Sequence, residues 1–325
     1  MMRYRLFGRT GLRVSELVLG TMTLDDAAEY KRVLDTFADA GGNFLDTASA
    51  YGASEELLGA VLDRRDRFVI GTKYTLTRDA ADPNAAGNHR KNLVLSLEQS
   101  LRRLRTDYVD VYWVHVWDRL TPIEETLRAL DDAVRAGKVL HIGISDAPAW
   151  VVAQANTLAQ CHNWTPFAGL QVPYNLLQRD IERELLPMAE AFGMSVTTWA
   201  PLAQGVLSGV AGRRSDPAER TERERAAAAA VGEVAAELGV PAAQVAIAWT
   251  RHRSAAVLPI IGVSSATQLA ANLAAVELVL PADAVHTLEA AVPFELGFPG
   301  DFIAECDESP FVYGDAATKV GPISR

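Results

Sequence analysis

Short apolar runs recur along the chain, and a longer segment of mixed apolar and polar residues separates each run from the next. Runs that are apolar nearly throughout are typical of strands buried on both faces of a parallel sheet. Eight such runs occur, at residues 17–19, 43–45, 68–70, 109–114, 139–144, 169–172, 195–198 and 257–260. The pattern therefore predicts eight parallel strands.

The segments between these runs have the periodicity of amphipathic helices. Between the third and fourth runs, Leu93, Leu97, Leu101 and Leu104 recur at spacings of three or four and share one helix face. The predicted helices cover residues 27–40, 55–62, 91–105, 123–135, 148–159, 181–192 and 241–251. Strands that alternate with helices indicate a chain of β–α units.

Eight such units fit a closed (β/α)8 barrel, the TIM-barrel fold, better than they fit an open sheet. An open Rossmann sheet would carry the motif G-x-G-x-x-G after its first strand, and the sequence lacks that motif. We therefore expect one α/β barrel domain over residues 1–325.

Some segments fall outside this rhythm. Residues 3–14 contain two glycines between short apolar runs and predict a β-hairpin that plugs one end of the barrel. Residues 209–225 are highly charged and are expected to form a flexible loop, and residues 226–238 predict a helix that is extra to the barrel. The C-terminal tail, residues 293–325, carries aromatic residues among Gly and Pro.

Composition and charge narrow the classes of function. Hydrophobic residues make up 49% of the chain and charged residues 22%, as in ordinary globular proteins. The net charge of −10 argues against a nucleic-acid partner, because nucleic-acid binders present a basic surface. The two cysteines, Cys161 and Cys306, have no metal-type spacing and favour a reducing compartment.

Two further observations argue against a membrane protein. The N-terminal residues MMRYRLFG lack the apolar core of a signal peptide. Residues 254–276 carry no charge, but they include Pro259, Gly262, Gln268 and Asn272, which a lipid-exposed helix would not tolerate together. We expect a buried strand–loop–helix there, no membrane partner and a cytoplasmic location.

Residues suited to proton transfer follow several of the predicted strands. Asp46 directly follows the second strand, with Tyr51 in the loop beyond it, and Lys73 lies just after the third strand. His115 directly follows the fourth strand. In a (β/α)8 barrel the carboxyl ends of the strands meet at one mouth, where active sites are built. The four side chains therefore predict one proton-transfer site.

A phenol beside an ammonium group suits the protonation of a carbonyl oxygen. The pKa of a free tyrosine is near 10, and we expect Lys73 to lower the pKa of Tyr51 by stabilising the phenolate. Asp46 would hold Lys73 by an ion pair. His115 would offer an N–H to the substrate carbonyl, which Tyr51 would protonate as hydride reaches the carbon.

Each of these residues also has a purely structural alternative. Asp46 could cap a turn, Tyr51 could pack in a loop, Lys73 could be a solvated charge, and His115 could be a hydrogen-bonded core residue. Their shared position at one end of consecutive strands favours the catalytic interpretation. A metal-dependent hydrolase using His115 and Asp118 is a further alternative, although the H-x-H pair of such sites does not occur.

At these residues the sequence resembles the aldo-keto reductase superfamily. The resemblance spans residues 3–290 and rests on GNFLDTA at 42–48 with Tyr51-Gly52, GTK at 71–73, LRRLRTDYVDVYWVH at 101–115, KVLHIGIS at 138–145, and Pro201-Leu202 followed by Gly205 and Gly209. Residues 143–150 and 88–93 are most similar to the branch that contains fungal aryl-alcohol dehydrogenases. The resemblance implies a barrel enzyme that reduces carbonyl groups with a nicotinamide dinucleotide.

The resemblance also implies roles for individual residues. Tyr51 would be the acid, with Asp46, Lys73 and His115 in support, and the cofactor would be NADPH, with NADH the less favoured choice. Ser145, Asp146 and Gln171 would bind the nicotinamide carboxamide, and Gly20, Thr21 and Met22 would lie under the cofactor. The cofactor residues would be Gly20, Thr21, Met22, Asp46, Ser145, Asp146, Gln171, Trp199, Ala200, Pro201, Leu202, Gln204, Gly205, Gly262, Ser264, Gln268 and Asn272.

Within this set, Trp199 would stack on the nicotinamide ring, and Ser264 and Gln268 would lie near a 2′-phosphate at a helix N-terminus, a favourable place for an anion. The substrate would be a small-molecule carbonyl compound, including aromatic ones. Its candidate contacts are Tyr51, His115, Tyr74 and Trp117, together with Met22, Phe294, Phe298 and Phe302.

The oligomeric state stays open. Potassium-channel β-subunits resemble the same family and keep its cofactor site while serving as partners. A cofactor-binding regulatory subunit with little turnover is therefore the alternative function.

The sequence departs from the family pattern at two places. The fifth-strand motif usually ends in Ser-Asn, and here it ends in Ser145-Asp146. An ionised aspartate accepts hydrogen bonds but, unlike asparagine, cannot donate them to the carboxamide. We expect its negative charge to favour the positively charged oxidised cofactor, and the alternative is a branch variant without effect. At the adenosine end, Gln268 and Val210 stand where many members have Arg and Lys, and Arg213 or Arg214 could replace those charges.

Overall fold

The computed structural model describes residues 1–209 and 217–316 and contains a closed barrel of eight parallel strands. A short antiparallel hairpin, β1 (Tyr4–Leu6) and β2 (Arg13–Ser15), precedes the barrel. The barrel strands are β3 (Val18–Gly20), β4 (Phe44–Asp46), β5 (Val69–Tyr74), β6 (Val109–Val114), β7 (Val139–Ser145), β8 (Phe167–Pro173), β9 (Ser195–Trp199) and β10 (Val257–Gly262). Each pairs with its neighbour in the chain, and β10 pairs with β3 to close the sheet. The predicted (β/α)8 barrel and hairpin are confirmed.

Helices lie between and after the barrel strands, and the last two belong to the C-terminal tail. They are α1 (Ala27–Asp39), α2 (Ser54–Val61), α3 (Arg90–Leu104), α4 (Ile123–Arg135), α5 (Ala149–His162), α6 (Leu185–Phe192), α7 (Glu222–Leu238), α8 (Ala242–His252), α9 (Ala266–Leu273), α10 (Ala282–Ala291), α11 (Gly300–Glu308) and α12 (Pro310–Tyr313). Both α7 and α8 lie between β9 and β10, which confirms that one helix there is extra to the eight-fold pattern.

Aromatic rings fill the barrel at the end where the hairpin lies. Phe7, which follows β1, packs edge to face against Phe44 at a centroid distance of 5.7 Å and against Trp113 at 6.0 Å. All three side chains are fully buried. A Cβ added at Gly143 would lie 2.3 Å from Trp113, and one added at Gly169 would lie 2.5 Å from Phe7. The two glycines therefore make room for the rings that close this end.

The predicted flexible loop at 209–225 was wrong at its C-terminal end. Helix α7 begins at Glu222, because Thr221 and Glu224 form a reciprocal capping box that satisfies the first backbone N–H groups. A 3-10 turn, Pro217–Glu219, precedes it. Val210, Arg213 and Arg214, which carried the prediction about cofactor charge, lie outside the described residues.

The predicted helix at 181–192 is also shorter than expected. A 3-10 turn, Asp180–Glu182, comes first, and α6 begins only at Leu185 because Glu184 has a non-helical φ of −139°. Beside this turn, Arg183 donates hydrogen bonds to the carbonyls of Glu295 and Leu296 and so holds the start of the C-terminal tail.

Residues 254–276 form β10, α9 and a 3-10 turn (Ala274–Val276), as the polar residues in this uncharged stretch predicted. Within residues 1–209 and 217–316, no single helix is long and apolar enough to cross a membrane. The pair α7 and α8, bent by 101°, meets that test only when the two helices are taken together.

Candidate active site

The predicted catalytic side chains come together at the end of the barrel opposite the hairpin. Asp46 is the last residue of β4, Lys73 is the next-to-last residue of β5, and His115 directly follows β6. Tyr51 lies in the loop between β4 and α2. Because these parallel strands are neighbours in the sheet, their carboxyl ends place the four side chains within reach of one another.

Lys73 is the centre of this cluster. Its Nζ donates hydrogen bonds to Asp46 Oδ2 at 2.6 Å, to the carbonyl of Thr47 at 2.8 Å and to the Tyr51 hydroxyl at 3.3 Å. Its side chain is fully buried. Since an ammonium group has three N–H donors, these acceptors satisfy all of them. Burial alone would lower the pKa of Lys73, but the opposite charge of Asp46 and these hydrogen bonds raise it, so the group stays charged.

The pKa of Tyr51 departs from the prediction. Lys73 does act to lower it, but burial of the phenol raises it more, and Asp46 adds to the rise. The net pKa of Tyr51 therefore lies above its ordinary value of 10.0, and the predicted lowering is wrong for the protein alone. Tyr51 is consequently held as a neutral phenol, the form that can donate a proton.

His115 lies against Tyr51, with ring centroids 5.8 Å apart and nearly perpendicular planes. Burial, with Lys73 adding to it, lowers the pKa of His115 to about 3, so its imidazole is neutral. Its buried Nδ1 has no hydrogen-bond partner among the described residues. A buried N–H without a partner costs more than an unpartnered acceptor, so the proton belongs on Nε2, where it can serve as a donor.

Gln171, on β8, also joins the cluster. Its Nε2 donates to Asp46 Oδ1 at 2.9 Å and to Thr197 Oγ1 at 3.2 Å. The two oxygens of Asp46 are thus held from opposite sides, by Gln171 and by Lys73. The sequence had assigned Gln171 to the cofactor alone, since nothing local indicated a contact across 125 positions.

Sequence reasoning missed Asn88 and Thr75. The amide of Asn88 donates to Thr75 Oγ1 at 2.9 Å and to the carbonyl of Val116 at 3.1 Å, and it accepts from the backbone N–H of Asp118 at 2.7 Å. Thr75 has an unusual φ of 101°, and its hydroxyl accepts from the His115 backbone N–H. Asn88 therefore connects the loop after β5 to the segment that carries His115. The available signal in the sequence was the place of Asn88 at the start of the segment 88–93, which carries the resemblance.

Comparison with known proteins identifies the family to which this barrel belongs. A family model described as Aldo/keto reductase family matches residues 16–293. The chain belongs to the aldo-keto reductase family. It is an NAD(P)H-dependent oxidoreductase that acts on carbonyl and alcohol groups.

Relatives of this aldo-keto reductase match nearly all of the chain. Norsolorinic acid reductase stcV of Emericella nidulans is 39% identical, over 93% of this chain and 84% of the relative. The aryl-alcohol dehydrogenase [NADP(+)] of Phanerodontia chrysosporium is 37% identical, over 89% and 85% respectively. A putative aryl-alcohol dehydrogenase of Saccharomyces cerevisiae is 35% identical, over 93% and 90%.

The residues that the aldo-keto reductase pattern assigns to the nicotinamide lie at the same mouth. Trp199, at the end of β9, donates from its indole Nε1 to Asp146 Oδ1 at 3.3 Å. Asp146 follows Ser145 at the end of β7 and has a left-handed φ of 47°, which aspartate tolerates better than most residues. Burial raises the pKa of Asp146. An asparagine would also offer an Oδ1 acceptor to Trp199, so the substitution changes the charge of that acceptor and removes the amide donor.

The residues predicted under the cofactor follow β3. Gly20 ends that strand, and a Cβ there would lie 2.9 Å from the Ile260 side chain. Thr21 is buried and shares a hydrogen bond with Ser54, whereas Met22 is 48% exposed. Of the three, Met22 therefore presents the most surface to a ligand.

The segment after β9 has an unusual backbone. Ala200, Ala203, Gln204 and Gly205 all have left-handed φ values, between 46° and 106°. The backbone N–H groups of Ala203 and Gly205 donate to the carbonyls of Ala200 and Leu202, so the segment folds as successive tight turns. Pro201 and Leu202 lie within this segment. Three non-glycine residues held in this costly conformation mark the segment as a candidate functional loop, the one in which the family resemblance places cofactor residues.

The segment that the resemblance assigns to the adenosine end contacts an acidic residue that the sequence did not reveal. Glu29, on α1, accepts a hydrogen bond from the backbone N–H of Ala266, the first residue of α9, at 2.7 Å. Gln268 Oε1 accepts from the Ser264 N–H at 2.9 Å. The predicted anion site at this helix N-terminus is therefore engaged by the chain's own acceptors, and Gly262 precedes it at the end of β10.

The side chains present fit a dinucleotide nevertheless. The buried Nδ2 of Asn272, on α9, has no hydrogen-bond partner among the described residues, although a buried amide normally has one. An adenine ring presents nitrogen acceptors that could satisfy it. This unpartnered donor fits the nucleotide cofactor that aldo-keto reductases use.

Of the remaining predicted substrate contacts, Trp117 lies at the mouth and Tyr74 does not. Trp117 lies beyond His115 at the mouth and is partly exposed. Tyr74 does not reach the mouth, because successive strand residues face opposite sides and Lys73 faces inward. Tyr74 is fully buried behind the sheet, stacks on Tyr112 at 5.3 Å and donates to the Asn88 carbonyl.

The tail aromatics are also separated from one another. The guanidinium groups of Arg179 and Arg183 lie over the Phe294 ring. Phe298 is 87% exposed and contacts the half-exposed Phe302. Asp118, the residue of the metal alternative, accepts hydrogen bonds from the Thr121 hydroxyl and from the backbone N–H groups of Leu120 and Asn88.

Proposed function

We propose that this aldo-keto reductase reduces an aldehyde or ketone to its alcohol with NADPH, and that Tyr51 is the general acid. The observation that carries the proposal is the contact of 3.3 Å between the Tyr51 hydroxyl and the Lys73 ammonium, which is itself fixed by Asp46 at 2.6 Å. A phenol buried beside a fixed cation is suited to give up a proton where negative charge develops on a carbonyl oxygen.

Each side chain has a defined task in this proposal. Tyr51 donates its proton to the carbonyl oxygen, and Lys73 stabilises the phenolate that remains. Asp46 and Gln171 keep Lys73 in place. The neutral His115 donates its N–H to the same carbonyl oxygen and so orients it. The bound nicotinamide supplies the hydride. The same groups serve the reverse reaction, in which the phenolate accepts the alcohol proton.

The choice of NADPH rests on two supports. One relative is named as an NADP(+) enzyme. In addition, Ser264 and Gln268 offer polar side chains beside the N-terminus of α9, a favourable place for a 2′-phosphate. Glu29 opposes this choice, because its carboxylate accepts from Ala266 N–H at the same helix end. A bound 2′-phosphate would have to displace that carboxylate.

Cofactor preference is tested by kcat/KM for NADPH and for NADH, measured in the wild type and in Glu29→Gln. We expect the wild type to favour NADPH and the substitution to strengthen that preference, because it removes a like charge from the phosphate site. The NADH arm serves as the matched control, since NADH lacks the 2′-phosphate. A strong preference of the wild type for NADH would overturn the assignment.

Carbonyl reduction is tested by following NADPH oxidation with a panel of aldehydes and ketones. We expect turnover by the wild type and a loss of about 100-fold or more in Tyr51→Phe, which keeps the ring but has no proton to donate. Tyr4→Phe is the control, because Tyr4 donates to the Gly41 carbonyl at the hairpin end, away from the mouth. Tight NADPH binding without turnover of any substrate would favour the regulatory-subunit alternative instead.

A further inference from the structure

Two tryptophans at the barrel mouth have no part in the proposed chemistry. Trp117 lies in the loop after β6, and Trp150 is the second residue of α5, which follows β7. Their rings meet edge to face, with centroids 5.5 Å apart and an interplanar angle of 85°. Trp150 is 60% exposed. An indole left so open to water forgoes the burial that stabilises most tryptophans, which is typical of a binding surface.

This pair lies next to the catalytic groups. Trp117 is two residues beyond His115, whose ring contacts Tyr51. The backbone N–H of Trp117 donates to the Asp146 carbonyl, which ties its loop to the end of β7. A flat molecule whose carbonyl reaches Tyr51 and His115 would therefore extend along the two indoles.

A positive charge is available at the same place. The Arg119 guanidinium lies over the Trp117 ring, 5.7 Å from its centroid, and Arg119 is exposed. Within residues 1–209 and 217–316 it makes no ion pair or hydrogen bond. The neighbouring carboxylate, Asp118, is engaged by Thr121 at 2.6 Å and by the Leu120 N–H at 2.8 Å. Arg119 is thus free to bind an anion from solution.

We propose that Trp117, Trp150 and Arg119 form a substrate subsite for an aromatic carbonyl compound that carries an anionic group remote from its carbonyl. The indoles pack against the aromatic ring, and Arg119 pairs with the anion. This inference rests on the proposed reductase function and names its substrate class. The chain has a net charge of −10, so a fixed cation at the mouth also offsets the repulsion that an anionic substrate would otherwise meet.

The charge is tested with a matched pair of substrates, 4-formylbenzoate and its methyl ester. We expect the wild-type kcat/KM to be about threefold to tenfold higher for the carboxylate than for the ester, because the contact with Arg119 is charge-assisted but partly exposed. This ratio of the two kcat/KM values should decline as salt is added, since salt screens exposed charges. In Arg119→Gln the ratio should fall to about one. Arg128→Gln is the control. Arg128, on α4, lies over the Trp164 ring at a similar distance of 5.6 Å, and Trp164 precedes the N-terminal end of β8, away from the mouth. Preference for the carboxylate that survives in Arg119→Gln would overturn the proposal.

The aromatic part is tested with Trp150→Leu. We expect KM for 4-formylbenzoate to rise about tenfold while KM for propanal, which has no ring to stack, stays within about twofold. Equal losses for both aldehydes would show that Trp150 acts through the fold and would overturn the proposal.

A binding measurement separates this inference from the proposed function. Calorimetric titration with 4-(hydroxymethyl)benzoate should give weaker binding in Arg119→Gln and in Trp150→Leu than in the wild type. If the wild type binds this compound with both dependences but reduces no carbonyl, the subsite stands and the reductase proposal fails. If the wild type reduces aldehydes but neither Arg119→Gln nor Trp150→Leu changes binding or turnover, the reductase proposal stands and the subsite proposal fails.

Discussion

At the scale of single residues, the site depends on a lysine with no donor to spare. All three N–H groups of Lys73 are engaged, by Asp46, by the Thr47 carbonyl and by Tyr51. Without these acceptors, the buried ammonium would incur a desolvation cost of several kcal/mol. The same arrangement fixes where the charge lies relative to the phenol, so stability and chemistry depend on one set of contacts.

These contacts predict an unusual pH profile. The pKa of Tyr51 is raised above 10.0 by burial, and the pKa of His115 is lowered to about 3. Tyr51 must be protonated to act as the acid, so the rate of carbonyl reduction should stay flat from about pH 6 to pH 9 and fall only above about pH 10. Steady-state kcat for reduction, measured across this range, checks the prediction. A limb near pH 6.5 that disappears in His115→Gln would contradict it.

Asp146 supports a second prediction at this scale. Its carboxylate is buried, accepts from the Trp199 indole, and takes the place of the family's usual asparagine. A negative charge there should favour the positively charged NADP⁺ over neutral NADPH. We therefore expect Asp146→Asn to weaken NADP⁺ binding several-fold more than NADPH binding, as measured by fluorescence titration at pH 8.

Asp39→Asn removes an exposed carboxylate at the end of α1, far from the strand ends that form the mouth, and should leave both dissociation constants unchanged. Equal effects of Asp146→Asn on NADP⁺ and NADPH would refute the electrostatic argument. Because burial raises the pKa of Asp146, the discrimination should also weaken as acid protonates that carboxyl.

At the scale of elements, the loops at the mouth are held by one buried asparagine. Asn88 connects Thr75, Val116 and Asp118 through its single amide group. We expect Asn88→Ala to lower the free energy of unfolding by about 2–4 kcal/mol, because it leaves buried polar groups without partners. The kcat/KM should fall as well, because the Thr75 hydroxyl, which Asn88 holds, accepts a hydrogen bond from the backbone N–H of the catalytic residue His115.

Urea unfolding and aldehyde kinetics check this prediction. Asn84→Ala is the matched control, because Asn84 lies in the same loop but is exposed. If Asn88→Ala unfolded like Asn84→Ala and kept full activity, Asn88 would have no positioning role.

The same elements show which features the sequence can predict. The barrel strands were located to within a few residues, because a strand buried on both faces is apolar along its own length, as in β6. Tyr51, Asp46 and Lys73 could be grouped because barrel topology brings successive strand ends together. The contact of Gln171 with Asp46 and the contact of Glu29 with α9 could not, since each depends on how distant segments pack.

At the scale of the whole molecule, the barrel separates stability from chemistry. Its hairpin end is closed by the rings of Phe7, Phe44 and Trp113, for which Gly143 and Gly169 leave space. Its other end carries the polar cluster around Lys73. Conserving one end while varying the loops at the other is the route by which this fold supports many chemistries.

Phe7→Ala tests this separation. Phe7 is fully buried against two aromatic rings, so its removal should lower the free energy of unfolding by about 3–5 kcal/mol through lost burial and a cavity. The kcat/KM at 25 °C should stay within about twofold of the wild type while the protein remains folded, because the catalytic contacts lie at the far end of the strands. Leu6→Ala is the control, since Leu6 precedes Phe7 on the same hairpin but is 55% exposed. A large loss of activity in Phe7→Ala at temperatures where it remains folded would mean that the plug also positions the mouth, and that the two ends of the barrel are coupled through the strands.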